Sequence, residues 1–168
     1  MTDKIIPAAI AAADLPAVGQ PLADGIFVTR YWLNGVEYAL VELGAEQEFE
    51  GEWSARDQSV EGAKSYSDGL ANTVAMAEAG SLIARKALEI GESVFIPAAL
   101  ELNLLFAAND AGEINSFEDP HLNCWYWSSS KLSADLALRA DVYLNLLEPY
   151  NRDWEFLVRP VRRIPILP

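Results

Sequence analysis

The sequence predicts an α+β domain in which two helices pack on a twisted antiparallel sheet. Three observations predict it. Two β-branched and aromatic runs, Ile26 to Leu33 and Val36 to Leu43, flank the turn dipeptide Asn34-Gly35. Two apolar-rich stretches of helical spacing follow, and beyond residue 124 the pattern becomes that of strands. Runs of helix and strand that do not alternate favour α+β over a parallel α/β arrangement. At 168 residues, 51% hydrophobic and 22% charged, the chain suffices for one core that buries about two-thirds of its unfolded surface.

Residues 1–18 are rich in Ala and Pro and show no sustained period, so an N-terminal arm is expected there and one folded domain over 19–168. The apolar run Ile5 to Ala13 is shorter than a secretory signal and is interrupted by Pro7, which argues against a leader. After the hairpin come Glu42, Glu46, Glu48, Glu50 and Glu52, read as a solvated, self-repelling stretch rather than a cation site. Asp68 is placed to cap a helix running through Leu70, Met76 and Leu88, with Gly80-Ser81 as a point where it breaks or bends. The second helix spans about Pro97 to Asn109, its Pro near the first turn, where a missing N–H costs nothing. Asp110 to Asn123 reads as a loop, and Trp125 to Ser129, Leu136 to Leu144 and Trp154 to Ile164 read as strands.

The formal charge of −13 argues against nucleic acid as a partner, because that affinity rests on Lys and Arg. The acids concentrate early: residues 1–60 hold ten acids and three bases, residues 131–168 five acids and six bases. No stretch is long and apolar enough to suggest membrane insertion. With one cysteine, Cys124, no intrachain disulfide forms, which suits synthesis in a reducing cytosol. His121, the lone histidine, and Cys124 offer too few ligands for zinc, and Ser128, Ser129 and Ser130 have no evident base, so neither a metal, a cofactor nor a catalytic residue is expected.

Five short segments occur in an order that resembles one family. Val18-Gly19-Gln20-Pro21 with Asp24-Gly25-Ile26-Phe27, then Asn72-Thr73, Phe95-Ile96-Pro97 with Glu101-Leu102, Tyr126-Trp127-Ser128-Ser129, and finally Val158-Arg159-Pro160-Val161-Arg162 are similar to the Lcl C-terminal domain family. That family is a C-type-lectin-like group of bacterial surface proteins and phage or prophage tail proteins. Paired cysteines frequent in the family are missing here. The resemblance implies a C-type-lectin-like domain and a non-enzymatic binding role, as a tail receptor-binding protein or adhesin located in the virion. A bacterial cell-surface location is the alternative. A structural tail or baseplate protein that contacts only other virion proteins or sister subunits is the rival reading. A formylglycine-generating type of enzyme, which shares the broad fold, is disfavoured because its chemistry depends on thiols.

Candidate ligand-binding residues come from the C-terminal half. In an extended run, Trp125 and Trp127 share one face and Tyr126 takes the other. Trp127 is assigned to the core, while Trp125 and Tyr126 divide evenly between packing and recognition. Arg159 and Arg162 are read as structural. Tyr150, Asn151, Arg152 and Trp154 have the composition of an adaptable recognition loop, with a simple turn as the plainer reading. Together with Lys131 and Asp135 they are expected to form a surface for a host glycan or protein receptor, or for other virion proteins.

Overall fold

The computed structural model describes residues 6–117 and 125–168; His121, Cys124 and the last part of the loop predicted before Trp125 lie outside them. The chain is α+β, with the strands divided between two sheets. The elements run β1 (Ile10–Ala11), β2 (Pro21–Leu22), β3 (Gly25–Leu33), β4 (Val36–Glu42), β5 (Phe49–Glu52), α1 (Gly69–Glu78), α2 (Leu82–Ile90), β6 (Val94–Phe95), α3 (Ala99–Asp110), β7 (Trp125–Lys131), β8 (Leu136–Asp141), β9 (Leu146–Asn151), β10 (Glu155–Val158) and β11 (Val161–Leu167). The first sheet has the order β1-β11-β4-β3-β2, with β6 also on β11; the second is β5-β10-β7-β8-β9.

The β3–β4 hairpin turns at Asn34 and Gly35, whose φ values of 50° and 80° are those of a type I′ turn. Helix α1 starts where Asp68 accepts from the Ala71 N–H, and the chain breaks after it at Gly80, φ 102°, so the expected two helices are three. The expected antiparallel sheet is likewise two mixed sheets, because β1 runs parallel to β11 and β10 parallel to β7. Ile10 and Ala11, expected in an arm, pair with Ile166 and Leu167, and Ile10, Ala12 and Leu15 pack against Phe27, Val41 and Ile166. An apolar segment too short to show a period still buries its side chains on an available sheet edge.

The strand expected over Trp154 to Ile164 is interrupted at Arg159-Pro160, because proline donates nothing to a ladder. The chain changes sheets there. Conversely, Leu146–Asn151 is a strand despite Pro149, since β9 lies at a sheet edge where one face of the ladder is unpaired.

Three apolar clusters fill the interior. One lies where both sheets meet α3, with Val28, Leu40 and Val161 from the first sheet against Leu102, Leu105, Phe106, Tyr126 and Ala140. A second packs α1 and α2 against Trp53, Trp127 and Phe156, and the third covers the outer face of the first sheet. At the sheet junction Arg159 is buried, its Nη2 2.7 Å from Glu48 and its Nη1 3.2 Å from Glu42. Its guanidinium also lies 4.6 Å from the centre of the Phe117 ring. Glu42 and Glu48 therefore leave the predicted solvated acidic stretch and become partners of a buried cation. Arg162 is held by Asp24, and Arg163 by Asp68.

Glu101 ties α3 to its surroundings: its carboxyl accepts from the Ala98 and Gly69 N–H groups at 2.8 and 3.0 Å and from the Tyr31 hydroxyl at 2.6 Å. Burial outweighs these donors and pushes its pKa up to about 7.

Two outcomes follow. Arg159→Ala leaves two carboxylates facing a dry junction and should lower the unfolding free energy by about 3–5 kcal/mol in urea titrations. For Glu101, the unfolded carboxyl releases its proton near 4.5 and the folded one near 7, so the folded state holds an extra proton between these values. Its contribution is full below the lower value and is lost as pH rises through the upper, by roughly 3 kcal/mol. The unfolding free energy of the wild type minus that of Glu101→Gln should fall over this window; a difference that rises with pH contradicts the assignment.

Candidate recognition face

The alternation of β7 sends Trp125 and Trp127 to one side of the second sheet and Tyr126 to the other. Tyr126 is buried in the cluster against α3, its hydroxyl 3.0 Å from Glu48, so of the two residues divided between packing and recognition it belongs to the core. Burial pushes its phenol above the usual range, and the neighbouring Glu48 carboxylate adds to the effect. Trp127 is fully buried and donates from Nε1 to the Gly51 carbonyl. Trp125 is 42% exposed, and its Nε1 donates to Asp141 at 3.0 Å.

Pairing in register places Arg139 of β8 opposite Trp127 and Glu148 of β9 opposite Arg139. Arg139 is the centre of the face. Its guanidinium carbon lies 4.0 Å from the ring centre of Tyr150 and 4.8 Å from those of Trp125 and Phe156, while Nη2 is 3.1 Å from Glu148. Each cation–ring contact contributes on the order of 0.5–2 kcal/mol. The Arg139 Nε is buried and has no hydrogen-bond partner among the described residues. Phe156 joins the face to the interior: its ring centre is 4.8 Å from Trp127 below and 5.2 Å from Tyr150 and 6.4 Å from Trp154 above. Trp154 is 51% exposed and meets Tyr150 edge to face at 5.2 Å.

The turn that carries Trp154 is fastened from both sides. Trp154 N–H donates to the Asn151 carbonyl, Arg152 N–H to the Asp135 carbonyl, and Ser54 N–H to the Arg152 carbonyl. Tyr150 and Asn151, expected in a loop, stand at the end of β9. Asp135, Asn151, Arg152 and Trp154 line a depression of about 430 Å³ with Arg56 and Asp153. It continues, through Arg56, Asp135 and Arg152, into a second hollow of about 520 Å³ that Lys131 and Lys64 line.

The structure therefore brings the sequence candidates together in two adjoining groups. Trp125, Tyr150 and Trp154 stand on the aromatic face, and Lys131, Asp135, Asn151 and Arg152 around the depression. Reasoning on the sequence missed Arg139 and Phe156. The available signal was a single arginine inside an otherwise apolar strand, Leu136 to Ala140, and its meaning depends on which residues lie across from it. No protein-family model matches the chain, and no curated protein matches it.

Proposed function

We propose that the chain is a non-enzymatic binding module of C-type-lectin-like architecture, serving as a receptor-binding or adhesin component of a phage or prophage tail. The observation that carries the binding role is the rigid aromatic face. Trp125 and Tyr150 flank the buried Arg139 guanidinium and exposed Trp154 packs on Tyr150 and Phe156, on strands and a fastened turn rather than on free loops. Aromatic and arginine anchors contribute large contact area at low entropic cost, which is why they dominate recognition surfaces. Phe156 beneath them packs at a tilt against core Trp127, so the rings are already ordered before a partner arrives and less is lost on binding. The non-enzymatic reading is supported by the use of the buried carboxyl with the raised pKa. Glu101 is spent on two backbone N–H groups and a tyrosine inside the core, where no substrate reaches it.

The tail setting rests on the ordered sequence segments, of which the aromatic strand is β7 and the closing arginine-bearing strand is β11. A second reading, a structural tail or baseplate component, is favoured by one observation. Leu144 and Leu146 are more than half exposed at the open-edge end of the same sheet, a composition suited to contact with another virion protein.

Binding to arrays of bacterial surface polysaccharides, measured beside melting temperature, tests the adhesin reading. Trp154→Ala and Trp125→Ala should each weaken binding by at least about 1 kcal/mol, roughly five-fold, with small changes in stability. Trp127→Ala should instead destabilise the fold by roughly 3–5 kcal/mol. If neither exposed indole affects glycan binding but Leu146→Asp blocks incorporation into virions, the structural reading replaces the adhesin one.

A further inference from the structure

The depression beside the aromatic face has a composition unlike the rest of this acidic molecule. Arg152 is 5% exposed, yet no carboxylate among the described residues lies within ion-pair distance of it. Its one side-chain hydrogen bond among those residues is a long one, 3.5 Å, from Nη2 to the Arg56 carbonyl. A guanidinium carries five N–H donors, and burying it without an anion is costly, so such a group normally acquires a charged partner. Two further cations converge on it. Lys64 and Lys131 line the same hollow as Arg152, and burial holds the Lys131 ammonium below its usual range, with Lys64 and Arg152 lowering it further against the opposing pull of Glu61. The Arg56 side chain, 90% exposed, stands at the rim.

The acids of the same hollow leave Arg152 without an ion pair, although Glu61 offsets part of the charge of Lys131 and Lys64. Asp153 lies 4.0 Å from Arg56, and Glu61 accepts from the Ser59 hydroxyl at 2.7 Å. Asp135 is exposed at the rim, where its charge repels an approaching anion.

We propose that the hollow bounded by Arg152, Lys131 and Lys64 is a binding site for an oxyanion, a carboxylate or a sulfate, with the Arg152 guanidinium as the primary donor. The geometry suits it: the fork of Arg152 offers paired N–H groups to two oxygens, as arginine does for carboxylate and sulfate-like groups, and the two ammonium groups compensate the remaining charge. Trp154 lines the same depression, so a ring that carries the acidic group would stack on an indole already in place. The site shares Trp154 with the aromatic face, but its three cations are distinct from Arg139, so Lys64→Gln and Asp135→Asn test it without touching that face.

The test uses the full chain at fixed ionic strength, with sodium sulfate, sodium glucuronate and neutral glucose as probes. The readout is the shift of the arginine Nε–H resonances, assigned to Arg152 by its variant. Saturable movement of the Arg152 signal with either anion, and none with glucose, is the expected result. Arg152→Gln removes that resonance, and its affinity, read from the backbone amide shifts of Asp135 and Asn151, should be at least about ten-fold weaker. Because Arg152 is buried and its variant is at risk of misfolding, two variants at exposed positions carry the decision independently. Lys64→Gln should lower the affinity and Asp135→Asn should raise it, each about two- to three-fold, in opposite directions. Sulfate binding as tightly as glucuronate identifies a site for the bare anion; glucuronate binding more tightly, with the advantage lost in Trp154→Ala, identifies an acidic ring. No saturable shift with either anion at millimolar concentration overturns the proposal, as does equal affinity in the wild type, Lys64→Gln and Asp135→Asn.

Discussion

The buried ion pairs of Arg159 hold the architecture where two of the chain's passages between the sheets, β4 to β5 and β10 to β11, come together. The chain leaves the second sheet at Val158 and enters the first at Val161, and the two residues between must cross the gap while their backbone changes partners. Arg159 spans it with side-chain bonds instead. Glu42 closes β4 of the first sheet and Glu48 precedes β5 of the second, so the same guanidinium binds one carboxylate from each. Glu42 also accepts from the Ser116 hydroxyl and the Gly44 N–H, which brings the segment after α3 to the same centre. A buried pair of this kind adds little to net stability over an apolar substitute, whereas removing one partner leaves an uncompensated buried charge.

From that junction order passes outward through rings. Tyr126 bonds Glu48 on one side of β7, while Trp127, its neighbour in sequence, contacts Phe156 on the other. Phe156 in turn supports Tyr150 and Trp154, so the exposed rings rest on a column that begins in the core. An aromatic surface is ordinarily an aggregation hazard in a soluble protein. Here Arg139 sits among the rings and Glu148 and Asp141 border them, within a molecule whose formal charge of −13 keeps copies apart.

What the sequence disclosed was local. Asn34-Gly35 dictated its turn because only a few residue pairs accept positive φ at both positions, and Asp68 dictated a helix start because its side chain replaces a missing acceptor. Gly80-Ser81 carried the break between α1 and α2. Alternation puts the two tryptophans of β7 on one face and cannot separate them, and which of them is buried depends on α1 and α2, remote in sequence. Tyr150 and Asn151 were read as loop from their composition, whereas they close an edge strand that tolerates Pro149, and edges are a property of the whole fold. The acidic stretch was misjudged for a related reason: Glu42 and Glu48 look solvated until a cation from residue 159 lies between them. The arginine at the centre of the recognition face was invisible because its role is defined by register across three strands. The candidate residues from Tyr150 to Trp154 were found by composition, and the structure divides them between a strand, a turn and two neighbouring surfaces.

The distribution of indoles gives the molecule a built-in optical reporter. Trp53 and Trp127 are fully shielded, whereas Trp32, Trp125 and Trp154 are between 42% and 66% exposed. Emission from the shielded pair lies to the blue and survives a neutral quencher such as acrylamide, while the outer three emit to the red and are quenched by it. Iodide, repelled by the negative molecule, discriminates less well than its size would suggest. Trp125 and Trp154 are the only outer indoles near Arg139, and Trp32 stands on a different sheet near the hairpin tip, so replacing Trp32 by phenylalanine leaves a red component that belongs to the aromatic face alone. Occupancy of that face then becomes readable in unlabelled protein by light alone.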